Sequence, residues 1–240
     1  MQINKETCID CGICVNRCPV AAIKDDTSVG VQIDLDECVE CGVCKRWNVC
    51  PTESIYQQEL TWPRTVRSIM SDVLTIAEES QISGRGTEEM KTNEVTGRFK
   101  RGWVGMAMEL GRPGVATRMY DVEKLAMAVA KEDVEFEKQN PVTSMMSNPK
   151  TGKFKDELLN ERVLSAIIEF AVPEAKVPTI IKCLQEVAPE LNTVFSFDIC
   201  SKVDENGTVP HVKIVEDLGL WISPNAKTNV GLGRPLAKEE

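Results

Sequence analysis

The sequence predicts an α+β protein in which a small cysteine-rich unit precedes a two-layer α/β sandwich, and three observations predict it. Eight of the ten cysteines in the 240-residue chain fall between Cys8 and Cys50. Those eight form two copies of one motif, an internal duplication. From Trp103 onward the hydrophobic periodicity runs strand–helix–strand–strand, and then does so again.

The first element is the cysteine unit, residues 1–58. Cys8, Cys11, Cys14 and Cys18 read Cys-x2-Cys-x2-Cys-x3-Cys followed by Pro19, and Cys38, Cys41, Cys44 and Cys50 read Cys-x2-Cys-x2-Cys-x5-Cys followed by Pro51. The segment Cys8-Ile9-Asp10-Cys11-Gly12-Ile13-Cys14 returns thirty residues later as Cys38-Val39-Glu40-Cys41-Gly42-Val43-Cys44. The offset becomes 32 at Cys18/Cys50, Pro19/Pro51 and Ile23/Ile55. Three cysteines two residues apart wrap a tight loop whose thiolates converge on one cluster, and the glycine lets the backbone approach closely. Zinc wants pairs of cysteines and four ligands in total, whereas triplets stand here. Ten cysteines would suit a disulfide framework in a secreted mini-protein. The chain opens without an apolar leader or a twin-arginine stretch, so the count points instead to metal or redox chemistry.

Over residues 1–58 the chain resembles the bacterial two-[4Fe–4S] ferredoxin family, whose pattern the first run with its proline repeats. In that pattern the fourth cysteine ligates the other cluster. The resemblance therefore assigns Cys8, Cys11, Cys14 and Cys50 to one [4Fe–4S] cluster, and Cys38, Cys41, Cys44 and Cys18 to a second. It implies a small pseudo-twofold fold of two short β-hairpins and two short helices, and an activity of relaying single electrons between a donor and an acceptor. The sequence departs from the family at Lys45-Arg46-Trp47-Asn48-Val49, five residues where three are usual. That enlarges the loop beside Cys44 and places Trp47 near it, either covering apolar surface or meeting a partner.

Residues 59–101 read as a connector. A short helix is expected over Val66–Ile76, then a stretch rich in glycine, threonine and charge from Ser83 to Arg101, extended and able to wrap a partner subunit. Arg85, Lys91, Arg98, Lys100 and Arg101 offer cations to an anionic surface, but no phosphate-binding glycine motif accompanies them.

Residues 102–240 carry the rhythm. Its first pass is a strand over Trp103–Leu110, a helix over Tyr120–Ala130 with Val122, Leu125, Ala126 and Val129 on one face, and strands near Val134–Phe136 and Val142–Met146. The turn Asn148-Pro149-Lys150-Thr151-Gly152 closes it. The second pass is a strand over Val163–Val172, a helix over Val177–Val187, a strand over Val194–Lys202, and an Asn206-Gly207 hairpin into a strand at Val209–Val215. Pro113 and Pro173 follow the first strand of each pass, and Leu-Gly-Arg-Pro stands at both 110–113 and 232–235. Together these read as a duplicated βαββ unit, helices on one face of an antiparallel sheet. Its second half is similar in outline to ACT-like or ferredoxin-fold regulatory modules.

Net charge is −9, with 37 acids against 28 bases, which argues against nucleic acid as a partner. Residues 1–58 hold nine acids and five bases, so the cysteine unit should prefer a basic docking face. No apolar run is long enough to span a bilayer, and a cytoplasmic location is expected. No catalytic residues stand out. His211, the lone histidine, is expected on the sheet surface of a Val209–Val215 strand, Cys183 and Cys200 as small core hydrophobes, and Met106, Met108, Met145 and Met146 as packing residues. The expectation is an electron-transfer subunit of a larger anaerobic oxidoreductase: a hetero-oligomer with a catalytic subunit and a redox donor or acceptor as partners, and no catalytic site of its own. The alternative is a redox protein regulated by a small molecule bound to an ACT-like C-terminal domain.

Overall fold

The computed structural model describes residues 1–76, 78, 100–111 and 115–224. In the N-terminal unit β1 (Gln2–Ile3) pairs antiparallel with β4 (Ile55–Tyr56), and β2 (Ile23–Asp26) pairs with β3 (Gly30–Ile33). The second ribbon is a hairpin. The first joins the two ends of the unit, so one of the two expected hairpins is a long-range pairing. A 3-10 turn (Val15–Arg17) and α1 (Val43–Arg46) follow the two cysteine triplets.

The duplication extends to the backbone. Gly12 and Gly42 sit at φ +70° and +68°, Asp10 and Glu40 at +48° and +54°, and Ala21 and Glu53 at +53° and +51°. Each pair occupies matching positions of the two repeats, so the two loops follow the same left-handed backbone turns. The opening turns match too: the Cys8 N–H donates to the Asn4 carbonyl at 3.0 Å and the Cys38 N–H to the Asp34 carbonyl at 2.9 Å.

The expected short helix is α2, Thr65–Ser71, which ends five residues earlier than Val66–Ile76. It does not belong to an extended connector, because Val66 and Met70 are fully buried in the main core. The charged stretch that follows, with Arg85, Lys91 and Arg98, lies outside the described residues.

The C-terminal unit is a four-stranded antiparallel sheet with spatial order β12-β5-β11-β7, built from β5 (Trp103–Leu110), β7 (Glu135–Phe136), β11 (Ala166–Pro173) and β12 (Phe195–Ser201). With α3 (Met119–Ala130) between β5 and β7, and α5 (Val177–Val187) between β11 and β12, this is one split β-α-β unit, β-α-β-β-α-β, and not two βαββ units. Two expected strands are helices instead. Val142–Met146 begins as α4 (Pro141–Ser144), and Val209–Val215 is replaced by α6 (Pro210–Asp217). Both start on a proline at the first helical position, where the missing N–H costs nothing. Asn140 completes the α4 cap by accepting the Val142 N–H at 2.7 Å. The single strand expected over Val163–Val172 breaks into β10 (Arg162–Val163) and β11; β10 pairs instead with β6 (Thr117–Arg118). Met146–Asn148 (β8) and Lys153–Phe154 (β9) flank the expected turn and pair across it. The second Leu-Gly-Arg-Pro, and Pro113 within the first, lie outside the described residues.

The core face of the sheet follows from strand alternation. Val104, Met106, Met108 and Leu110 of β5 stand opposite Val172, Phe170, Ile168 and Ala166 of β11. These pack with Val122, Leu125, Ala126 and Val129 of α3 and Ile180, Ile181 and Leu184 of α5 in one buried cluster. The face of Val122, Leu125, Ala126 and Val129 and the methionine packing expected from the sequence are thus the ones observed.

The two units meet at the second cysteine loop. Val39 and Cys41 pack with Ala116, flanked by Leu164. Three arginines close over the preceding turn: Arg118 reaches Asp36 Oδ2 at 2.6 Å, Arg162 reaches Glu37 Oε2 at 2.7 Å, and Arg67 donates to the Asp36 carbonyl at 2.7 Å. Among the described residues no helix is long and apolar enough to cross a membrane.

Candidate metal centres

Cys8, Cys11, Cys14 and Cys50 line one cavity, walled otherwise by Ile3, Ile9, Ile13, Val31 and Ile55 and closed by Thr52 and Ser54. The triplet arrives on the Cys8–Cys14 loop. Cys50 comes from the far repeat because β4, which follows it, pairs with β1, which precedes the loop. Burial foremost pushes the Cys14 thiol up, and Cys11, Cys50 and Cys8 add to this as its charged neighbours.

The other four cysteines form a matching group deeper in the protein. Cys38, Cys41 and Cys44 are buried, and burial followed by the neighbouring Cys41, Cys38 and Cys18 pushes the Cys44 thiol up to about 12. Thiols so placed become thiolates at neutral pH only against a compensating cation. Cys18 joins this group across the repeat, as Cys50 joins the first.

Both crossing cysteines are held by the same backbone device. The Ala22 N–H donates to Cys18 Sγ at 3.1 Å, and the Ser54 N–H donates to Cys50 Sγ at 3.2 Å. N–H groups aimed at sulfur stabilise the thiolate. Burial alone would raise the Cys50 thiol, but the Thr52 hydroxyl and the Ser54 N–H outweigh it and bring it down to about 7.

All ten cysteines are free thiols, which removes the disulfide framework. Among the described residues no three Cys, His, Asp or Glu side chains converge closely enough to hold a single metal ion. Four thiols that surround a cavity, rather than meet at a point, fit a multi-iron cluster better than a tetrahedral zinc.

The surroundings of the two groups differ in ways that the motif spacing does not reveal. Asp10 stands beside the first, its Oδ1 3.6 Å from Cys8 Sγ and accepting the Val31 N–H at 2.8 Å. Guanidiniums stand beside the second: Arg67 donates to the Cys38 carbonyl at 2.8 Å, and Arg46 donates to the Cys41 carbonyl while pairing with Asp72. Arg46 lies in the enlarged loop, whose length was its only signal; Arg67 had none. Trp47, in the same loop, is 64 % exposed and stacks under Arg17, so it covers little apolar surface.

The remaining candidates lie elsewhere. His211 is on α6 rather than on a strand, half-buried, with Nδ1 2.7 Å from Ser201 Oγ, and burial pulls its pKa down. Cys183 packs from α5 against the core, and Cys200 is half-buried on β12.

Residues 1–24 match the family model of the 4Fe–4S binding domain. The N-terminus is therefore a ferredoxin-type iron–sulfur segment, and the chain carries an iron–sulfur electron-transfer function. No curated protein and no solved structure matches the chain.

Proposed function

We propose that this chain is the electron-transfer subunit of a larger, anaerobic oxidoreductase, holding two [4Fe–4S] clusters on crossed ligand sets. Cys8, Cys11, Cys14 and Cys50 hold one, and Cys38, Cys41, Cys44 and Cys18 the other. When bound, each cluster supplies reversible one-electron exchange. The rest belongs to the protein: thiolates fix the iron, the Ala22 and Ser54 N–H groups set the charge at the crossing sulfurs, and Ile3, Val31 and Ile55 give the first cavity apolar walls. The observation that carries the reading is the cavity itself, lined by three cysteines of one repeat and the last cysteine of the other. With every cysteine of both motifs used, no iron is left open for substrate. The split β-α-β unit is then the part that docks a catalytic subunit, and the substrate chemistry belongs to that partner.

Iron and sulfide analysis of anaerobically purified protein should return about eight of each per chain, and about four would mean that one motif is empty. Cys50→Ala should abolish the electron paramagnetic resonance signal of the cluster held by the first triplet, although Cys50 belongs to the second motif. Loss confined to the cluster of Cys38, Cys41 and Cys44 would refute the crossed assignment. A catalytic subunit should co-purify under anaerobic native conditions; a stable monomer that serves general acceptors unaided would count against the subunit reading.

A further inference from the structure

The two repeats share one loop sequence, yet one copy is covered and the other open, which makes the covered copy a template for what the open one lacks. In the second repeat Val39 is buried and Val43 half-buried, packed with Ala116 and Leu164. The acids around it are met by arginines: Asp36 and Glu37 by Arg118, Glu37 by Arg162, and Glu40 by Arg64 at 2.6 Å. The matching residues of the first repeat stand in solvent. Ile9, the counterpart of Val39, is 63 % exposed; Ile13, the counterpart of Val43, is 48 % exposed; and Val29 beside them is 55 % exposed. Cys11 is the one exposed cysteine of the eight.

The charges around the open loop repeat the covered pattern. Glu6 matches Asp36 and Asp10 matches Glu40, both exposed, and Asp25 and Asp26 extend the acidic rim. The nearby lysines are engaged: Lys5 donates to the Val29 and Val31 carbonyls and stands 3.9 Å from Asp10 Oδ1 as an exposed, loose pair, and Lys24 pairs with Asp34 at 2.8 Å. An apolar spot ringed by acids, over a cavity lined by thiols, is complementary to an apolar spot ringed by cations.

We propose that the open Cys8–Cys14 loop is the docking surface for a separate redox protein whose contact face is a small apolar spot ringed by arginines or lysines. The proposal rests on the relay reading above and adds direction to it. Exchange with the outside passes at the first loop, because the C-terminal unit already covers the second.

The test uses the full chain, purified anaerobically with its clusters, and cytochrome c as a basic one-electron acceptor beside flavodoxin as an acidic one. The variants are Glu6→Lys with Asp25→Lys, Ile9→Asp, and Lys45→Glu as a control on the enlarged loop. At low salt the double charge reversal should slow reduction of cytochrome c by about tenfold or more, an effect that fades at high salt, and Ile9→Asp should slow it at any salt. Lys45→Glu should leave the rate within about twofold, and the preference over flavodoxin should weaken only in the first-loop variants. Equal rates in all variants, or an equal loss in Lys45→Glu, would overturn the proposal. So would a dimer in sedimentation that Ile9→Asp dissolves, since the surface would then belong to a second copy of this chain. Iron content and the resonance signals of both clusters are read on each variant: missing clusters in the unmodified chain would defeat the relay reading, whereas intact clusters with unchanged rates would defeat only the docking surface.

Discussion

Replacing Arg67 with methionine removes a guanidinium on which both units depend while keeping an apolar stem of similar length. Arg67 is 4 % exposed. Its Nε reaches Glu161 Oε2 at 2.5 Å, and its Nη1 serves the carbonyls of Leu35, Asp36 and Cys38 at 3.1, 2.7 and 2.8 Å. Breaking a buried ion pair from one side typically costs about 3–5 kcal/mol, because the other charge is left uncompensated. Glu161 keeps some access to water, with 13 % of its side chain exposed, which lowers that cost. The Asp36 and Cys38 carbonyls lose the Arg67 donor and raise it again, each by up to about 1–3 kcal/mol and not additively, whereas the Leu35 carbonyl keeps Arg64 Nη1 at 2.9 Å. The expected net loss is about 3 kcal/mol. Urea unfolding of the anaerobic protein, followed by tryptophan fluorescence and by iron–sulfur absorbance, reads it. Adding Glu161→Gln to Arg67→Met should recover about 1 kcal/mol or more by removing the stranded carboxylate. On the proposed two-cluster reading, the cluster of the second triplet should be released before the first, since Arg67 holds the Cys38 carbonyl. A loss under about 1 kcal/mol, or no recovery in the double variant, would refute the account of Arg67 as the clamp between the units.

Other substitutions probe the fold away from the cysteines. A Cβ at Gly152, φ +71°, would lie 2.5 Å from the Ala126 carbonyl carbon and oxygen, backbone that cannot move aside, whereas one at Gly207, φ +83°, would meet nothing within 4 Å. Gly152→Ala should therefore cost about 2–5 kcal/mol in urea unfolding, and Gly207→Ala only the left-handed penalty of about 1–2 kcal/mol; similar values for both would refute the packing argument. Asp121 is buried in the first turn of α3, where burial pushes its pKa up while the Asn192 N–H, donating to its Oδ1 at 3.0 Å, and Lys124 oppose the rise. A carboxyl whose folded pKa is raised stabilises the fold fully below its unfolded pKa, and that contribution is lost as pH rises through the folded value. Unfolding curves between about pH 4 and pH 7 should show Asp121→Asn gaining on the unmodified protein as pH rises; a flat difference would place the carboxyl in ordinary solvent. Trp47→Ala should cost less than about 1 kcal/mol, since the ring is largely exposed and its main contact is Arg17 at 5.4 Å from the ring centroid; a larger loss in the same urea assay would mean that it anchors the enlarged loop.

Much of the structure is legible from the residues alone where the signal is local. The spacing of the cysteines, the glycines between them and the prolines after them express geometry that a loop must satisfy within a few residues, so the duplication seen in the sequence returns as paired left-handed backbone angles at Asp10/Glu40 and Gly12/Gly42. Strand β5 and helix α5 fall where periodicity puts them, because each buries one strong face. The misreadings at Val142–Met146 and Val209–Val215 have one cause: in a short apolar run the period is ambiguous, and the proline that opens each helix outweighs the β-branched residues that follow.

What the sequence by itself determined is the α+β class, the cysteine motifs and the iron–sulfur character of the N-terminus, since these rest on spacing and on side-chain chemistry. Only the tertiary structure decided that β5, β7, β11 and β12 interleave in one sheet rather than forming two duplicated units, because strand order depends on contacts between residues far apart in the chain. It also decided that two loops of nearly the same sequence have opposite surroundings. Val39 is buried beside Ala116 under Arg118 and Arg162, while Ile9 stands in solvent, and residues more than seventy positions away make that difference.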